Sequence, residues 1–415
     1  MSRPPEQLPP PMSAPPIPNL LSLRGTGTAT GTGPSADRGR GSDFRRARGR
    51  DRFGGFSGTS EVHDADAVVQ GTDVDAALSR LCAVEMGYLH DPFAQYFADA
   101  GPDPLTTRRL PIINRGTYTR TTALDRLIQL FLSDDSPGDA PPHAQPTKQI
   151  ISLGAGTDTR SLRLLSQLQA DQAPPPARHR CRRSRIIYHE TDFPAICAKK
   201  LRTFQRTPAL LAPFLPDSLR VEPDGSWHCS TPAGDELWCH GVDLRDLARS
   251  PRQHQRADDV LRRLDADVPT LLLSECCLCY LETADAGAVV ARLLATLRAG
   301  AGVVLYEATR PADAFGRVMA TNLAARGIRM PTLAAYPTPA DQEARLRAAG
   351  LRQACARTVD HIWQSDGWTP PQEKDRVDAL EGLDEVEEWD LLAAHYVVAW
   401  AWDGGGFEAW ERAQL

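Results

Sequence analysis

A doubly wound α/β domain with a mostly parallel sheet is the fold this sequence predicts, and three observations predict it. Strand-sized apolar runs alternate with helix-compatible spans from Lys148 to Ala325, as they do where crossover helices cover both faces of a parallel sheet. The first run enters a glycine turn, Gly154-Ala155-Gly156, that leads into a helix-compatible segment. A late strand, Tyr396 to Trp402, comes after the alternation breaks and is expected to close the sheet antiparallel.

Taken in order, the elements begin late. Residues 1–68 are Pro-rich, then Gly/Thr/Ser-rich, then Arg-rich. Such a segment buries too little apolar surface to offset its ordering entropy, so a disordered tail is expected. The arginines between Arg38 and Arg52 fit a nuclear signal, an RNA-touching arm, part of a mitochondrial presequence or a solvated tail. The opening prolines break the helix that a presequence needs. Helical periodicity starts near Asp73, with Ala77, Leu81, Val84 and Tyr88 at three- and four-residue steps. A second helix is expected from about Tyr118 through Leu132, and the two form an N-terminal helical cover ahead of the sheet.

Strands follow at Lys148 to Leu153, Ile186 to Asp192, Glu236 to Val242, Thr270 to Tyr280 and Gly302 to Glu307. The fourth is the most apolar and is expected near the centre. Helices are expected over Asp285 to Leu297 and Ala314 to Ala325. Ala170 to Arg185, rich in proline and arginine, reads as an exposed insertion in the first crossover. Beyond Leu351 come a strand (QACARTV), a polar helix over about Gln372 to His395 and the closing strand. The folded domain is therefore expected over 69–405, with a short tail at 406–415. No internal repeat is visible.

The chain has 415 residues, 41 % hydrophobic and 24 % charged, with a formal charge of −6. That suffices for one large globular domain or two small ones. So mild an acidity gives no reason to expect nucleic acid as a partner. The longest apolar run, Leu271 to Leu281, is interrupted by Ser274 and Glu275. It falls well short of the roughly 20 residues that span a bilayer. The opening residues lack the compact apolar stretch of a secretory signal. Nine cysteines, an odd number, point to a reducing compartment, the cytoplasm, with the nucleus as the alternative. Cys276, Cys277 and Cys279 have no second cluster to complete a zinc site. In an extended strand Cys276 faces away from the other two, so packing as small hydrophobes is expected, and no metal.

The acids after the strands carry the site. GxG alone is a weak signal, and Thr159 stands where a dinucleotide fingerprint has its third glycine. Asp192 ends the second strand, where a carboxylate can accept hydrogen bonds from a ribose diol. It lies 36 residues beyond Gly156, against about 20 in the usual dinucleotide unit, and the insertion accounts for the difference. A helix cap for FPAICAKKL is the other reading, and the two are compatible. Asp243 in GVDLRDL and Glu275 in LLSECCL also stand at strand ends. A carboxylate in so apolar a strand as that of Glu275 is costly unless a ligand cation, an amine or a neighbouring arginine pairs with it. Three acids and a glycine turn suit an adenosine carrying a methionine tail better than a dinucleotide.

Several motifs then carry a resemblance: GYLHDPF (Gly87 to Phe93), INRGTYTR (Ile113 to Arg120), LGAGTDTR (Leu153 to Arg160), ETDFPAICAKK (Glu190 to Lys200), GVDLRDL, SECCLCYL, FGRVM (Phe315 to Met319) and ALEGLDEVEEW (Ala379 to Trp389). Together, and in this order over about Asp73 to Asp403, they resemble the leucine carboxyl methyltransferase family. The resemblance implies a class I S-adenosylmethionine-dependent methyltransferase (Rossmann-like) fold, S-adenosyl-L-methionine as donor, and the C-terminal leucine of the protein phosphatase 2A catalytic subunit as acceptor. It implies that Arg120 grips the methionyl carboxylate, a task for a planar bidentate donor. Gly154 supplies close backbone contact, Asp192 holds the ribose, Asp243 and Leu244 frame the adenine, and Glu275 meets the methionine end. Arg80 aligns with a cofactor-contacting lysine of the family, keeping charge but not shape.

The implied chemistry asks for little. A terminal carboxyl, with a pKa of about 3.3–3.7, is already an anion at neutral pH, so no general base is needed. Arg245 is the candidate clamp for the acceptor carboxylate, an ion pair with Asp243 or Asp246 being the other reading. Tyr280 or Tyr118 can add a hydroxyl donor. His90, His240 and His395 are read as structural. Three rivals stand beside this reading: the same fold acting on a carboxyl of a tRNA base or small metabolite, an S-adenosylmethionine-binding phosphatase-docking protein without catalysis, and, more distantly, a plain dehydrogenase. The tRNA-modifying relatives carry a repeat-bearing extension, and none is seen here. A monomer is expected.

Overall fold

The computed structural model describes residues 58–98, 108–133, 146–166, 184–249, 255–384 and 386–413, with side chains from Ala65 onward. The arginine-rich stretch and most of the insertion expected at Ala170 to Arg185 lie outside these residues.

The first helix, α1 (Gly58–Glu85), begins ten residues before the expected domain boundary at 68. Ala77, Leu78, Leu81 and Cys82 form its buried face, two adjacent positions and their repeats one turn on. The second helix, α2 (Pro111–Leu132), starts earlier than Tyr118, with proline at its first position, where a missing N–H costs nothing. Its buried face is broad and includes Arg115 and Arg120 as well as Leu124, Leu127 and Ile128.

Among the described residues nine strands form one sheet: β1 (Thr147–Leu153), β2 (Arg185–Asp192), β3 (Arg220–Val221), β4 (Trp227–Ser230), β5 (Glu236–Gly241), β6 (Thr270–Glu275), β7 (Gly300–Ala308), β8 (Gln353–Thr358) and β9 (Tyr396–Gly404). Their order is β3-β4-β5-β2-β1-β6-β7-β9-β8. Strands β5, β2, β1, β6 and β7 run parallel, and β9 pairs antiparallel with β7, as expected of the late strand. β1 occupies the middle position, with the apolar β6 beside it. Successive crossovers leave β1 in opposite directions, so the β1/β6 edge is a topological switch point, where ligands of open α/β sheets bind.

Side chains alternate between two cores with the period of a strand. Ile150 joins an aromatic-rich core with Phe131, Trp227 and Trp400, while Ile151 and Leu153 join an aliphatic one with Leu272, Val303 and Val397.

Three expectations need correction. The strand expected over Thr270 to Tyr280 stops at Glu275, because Cys276 takes a left-handed φ of 48° and a short 3-10 turn, Leu278–Tyr280, follows. The three neighbouring cysteines are therefore not arranged as on a strand. The polar helix expected over Gln372 to His395 is two, Pro371–Asp378 and Val386–Ala394. Of the short tail expected at 406–415, the described residues 406–413 pack into the core: Phe407 stacks on Phe131 at 4.9 Å, and the Trp410 Nε1–H donates to the Leu127 carbonyl at 2.8 Å.

Among the described residues no helix is long and apolar enough to cross a membrane, no group of His, Cys, Asp and Glu could hold a metal ion, and the cysteines carry free thiols.

Candidate active site

The site starts at the carboxyl end of β1. Gly154 and Gly156 both adopt left-handed backbone, with φ of 64° and 51°. A side chain at Gly154 would also strike the Sγ of Cys277, and one at Gly156 would stand 2.6 Å from Oδ1 of Asp73. Glycine is required at both positions by conformation and by space. The turn is held to its neighbours: the Gly154 N–H donates to the Thr191 carbonyl at 2.8 Å and the Gly156 N–H to Oδ2 of Asp192 at 2.7 Å. From the cover, Oδ1 of Asp73 accepts from both the N–H and the hydroxyl of Thr157, at 2.7 and 2.6 Å, which latches α1 over the turn.

Between α1, α2 and the strand ends lies a cavity of about 620 Å³. It brings together the residues assigned to the donor from the sequence, Arg80, Arg120, Gly154, Asp192, Asp243, Leu244 and Glu275, with the acceptor candidates Arg245 and Tyr280. The sheet order lays the strand-end acids out in a row, Asp243 after β5, Asp192 on β2 and Glu275 on β6, with the glycine turn between the last two.

Their surroundings differ. Asp192 is held by backbone amides alone, from Gly156 and from Phe193 at 2.7 Å. Burial raises its carboxyl to about 6 against the pull of those two amides. The helix that follows, Pro194–Arg206 (α4), has Phe193 at its cap position and no side-chain cap, so Asp192 does not cap it in the usual way. Glu275 lies between two guanidiniums: Oε1 is 2.8 Å from Nε of Arg120, and Oε2 accepts from Nη2 of Arg160 at 3.1 Å. Arg160 is the first residue of the short helix Arg160–Leu165 (α3). It also donates through Nε to Asp125 at 2.7 Å and through Nη1 to Asp158. Arg80 reaches Asp158 at 3.2 Å and Asp91 at 3.4 Å. Burial alone would favour neutral forms here, yet the arginine charges hold the Asp158 carboxyl well below its ordinary range, and Glu275 raises Arg120.

Arg245 is not a free clamp. Its Nε lies 2.9 and 3.0 Å from the two oxygens of Asp243, and its Nη2 binds Asp243 and, at 2.7 Å, Asp66 of α1. Asp243 also caps the helix Leu244–Ala248 through the Arg245 N–H. The Tyr280 hydroxyl is buried beside Thr72 without a hydrogen bond of good geometry, and burial pushes it well above its ordinary pKa. Tyr118 is turned away, donating to Glu373 at 2.9 Å. His240 pairs with His189 at 3.0 Å inside the sheet, and burial lowers it to about 3. His90 is exposed, and neither His240 nor His395 lines the cavity.

This set of residues fits a sulfonium nucleoside with an amino-acid end. Asp192 presents a buried acceptor beside a glycine turn. Nε of Arg120 makes no aligned hydrogen bond although Glu275 stands 2.8 Å away, so a carboxylate can compete for the guanidinium. Arg120 and Glu275 together match the two charges of a zwitterion.

The profile of the family described as leucine carboxyl methyltransferase matches residues 69–294. The Emericella nidulans protein named leucine carboxyl methyltransferase 1 is 44 % identical over 413 residues, covering 96 % of this chain and 97 % of its own. The chain belongs to the leucine carboxyl methyltransferase family. It is an S-adenosylmethionine-dependent carboxyl methyltransferase, and its sheet is that of the methyltransferase fold. A human protein named tRNA wybutosine-synthesizing protein 4 is 33 % identical over 332 residues, covering 80 % of this chain and 43 % of that protein. Among solved structures, the CurJ carbon methyltransferase is 15 % identical, covers 84 % of this chain and 71 % of its own, and superposes with a TM-score of 0.39.

Sequence reasoning missed Asp66, Asp73, Asp158 and Arg160. The last two stand inside the quoted LGAGTDTR motif. The signal was Arg160 and Arg163, one turn apart at the start of an apolar helix, where surface residues are not expected.

Proposed function

We propose that the chain esterifies the C-terminal leucine α-carboxylate of the protein phosphatase 2A catalytic subunit. The observation that carries this reading is similarity to leucine carboxyl methyltransferase 1 along nearly the whole of both chains. When bound, S-adenosylmethionine supplies a methyl group on a cationic sulfur, and the acceptor arrives already ionised. The protein therefore has to hold, align and dry the reactants, and alignment is worth roughly 7–11 kcal/mol.

Each part has a candidate. Arg120 takes the donor carboxylate and Glu275 its ammonium, Asp192 the ribose diol, and Asp243 and Leu244 the adenine, with Arg80 and Gly154 completing the wall. Tyr280 is the candidate donor to the acceptor carboxylate. Arg245, through the Nη1 left out of its bonds to Asp243 and Asp66, is the second. α1, latched by Asp73 and Asp66, forms one wall of the cavity. The free thiols fit a reducing compartment, read as cytoplasm, and nothing in the site calls for nucleic acid or a second protomer.

The test is transfer of a radiolabelled methyl group to the phosphatase catalytic subunit with and without its last leucine. Label on the intact subunit and none on the truncated one is expected. Equal labelling of both overturns the acceptor assignment. The human wybutosine-synthesizing relative favours a second reading, a carboxyl on a tRNA base, which predicts label on tRNA and none on the phosphatase.

A further inference from the structure

We infer that Arg160 is a positioning residue of the donor site, holding Glu275 and Asp158 so that Arg120 stays open to the donor's carboxylate. Arg160 is 1 % exposed and does not line the cavity, whereas both of its carboxylate partners on that side do. It therefore acts on a ligand only through them.

The geometry explains why the site needs it. Glu275 has two oxygens and faces two guanidiniums, one oxygen each. With Arg160 in place, the anion is anchored from behind and meets Arg120 through a single poorly aligned contact at Nε. A zwitterion can then enter by exchange, its carboxylate taking Arg120 and its ammonium taking Glu275, while Arg160 keeps the glutamate in place. Without Arg160, Glu275 is free to close bidentately on Arg120, the favoured geometry of that pair, and both recognition charges are spent on each other.

Arg160 is itself fixed from outside the cavity. Asp125 of α2 accepts from its Nε at 2.7 Å, and the second oxygen of Asp125 is taken by Arg163 at 2.6 Å. Asp158, the third partner, also receives Arg80. One guanidinium thus sets two cavity-facing carboxylates, and through them the two arginines opposite. Lysine has the charge but not the planar fork this requires. The inference concerns the donor end alone and does not depend on which acceptor is methylated.

Calorimetric titration of the full chain with two ligands tests it. S-adenosylhomocysteine carries the amino-acid end; 5′-methylthioadenosine keeps the nucleoside and the thioether but lacks that end. Loss of one charge-assisted contact should make Arg160→Met bind S-adenosylhomocysteine about tenfold more weakly or worse, with 5′-methylthioadenosine changed by less than about twofold. A merely structural role weakens both alike, and that result overturns the inference. Because Arg160 acts through Glu275, the double variant R160M/E275Q should lose no more than about threefold beyond E275Q alone. Fully additive losses overturn it as well. Thermal melts without ligand show whether R160M is folded. If it is not, Arg160→Lys carries the comparison, with an intermediate loss expected for S-adenosylhomocysteine alone. Unchanged binding of both ligands by R160K overturns the inference.

Discussion

Asp192 and Glu275 face one cavity from β2 and β6, with β1 between them, yet the protein holds them in opposite ways. Glu275 sits between Arg120 and Arg160, charge against charge. Asp192 has two backbone amides and no ion partner among the described residues. Breaking a buried ion pair strands its partner, so the β6 side is sensitive to losing a cation. A buried carboxylate with only dipoles around it takes up a proton near neutrality, so the β2 side is sensitive to pH. On the proposed assignment, the amino-acid end of the donor is met by exchange within a paired network, and the ribose by a lone acceptor kept ready at some cost in stability.

The largest effect should come from Arg120→Ala. It removes the cavity-facing cation paired with Glu275 and leaves Glu275 to Arg160 alone. A loss of about 3–5 kcal/mol, a hundredfold or more in donor affinity, is expected, with methyl transfer abolished. Calorimetry with S-adenosylhomocysteine and the methyl-transfer assay measure it. Binding within a few-fold of wild type would erase the distinction drawn between the two sides.

Asp192→Asn should be smaller and should separate binding from stability. The native carboxyl is raised from an ordinary 3.8 to about 6. Between those values the folded state binds the proton and the unfolded state does not, so this group's contribution to stability falls as pH rises. Above about pH 6 the buried charge costs its full amount. The asparagine variant sheds the charge but turns its Nδ2–H2 toward one of the two amides, so it is the less stable in acid, and its stability relative to wild type should rise by an amount on the order of 1 kcal/mol between pH 4 and pH 7.5. Donor binding should be roughly tenfold weaker at pH 7.5 and should lose the acid-side decline that wild type shows below about pH 6. A variant that keeps the wild-type pH profile would show that another group sets it.

What could be read from the sequence follows the same division. β1, the glycine turn and Asp192 were legible because a local pattern fixes them: an apolar run, a forced turn and an acid at a strand end. The helix Ala314–Ala325 was legible for the same reason. The hairpin of β3 and β4 was not, since two- and four-residue strands are held by pairing along β5 rather than by their own periodicity. The end of β6 was hidden because the apolar run continues through Cys276, whose left-handed backbone is imposed by the fold. Arg160 was only half legible: its place at the start of an apolar helix marked it as unusual, but its three partners lie on α2, in the β1 turn and on β6 and meet only once the fold assembles. The bonds from Arg245 to Asp66 depend on α1 beginning at Gly58, inside a stretch whose composition suggested no structure.

His395 should give the smallest functional effect, and it tests the claim that no base is needed. Its Nδ1 lies 2.7 Å from the Leu391 carbonyl and its Nε2 2.8 Å from Oδ1 of Asp313, so both nitrogens are engaged inside the fold, and the ring does not line the cavity. The ring also packs on Phe315 at 4.5 Å, and Asp313 caps the helix Ala314–Ala325 through the Gly316 N–H. His395→Ala removes these contacts together and should cost about 1–3 kcal/mol of stability, seen as a lower melting temperature. Methyl transfer by the folded variant should keep both its rate and its pH profile. An acid-side limb that disappears with the imidazole would mean that the ring takes a proton during turnover, and an anion that reacts without a base would no longer describe the acceptor.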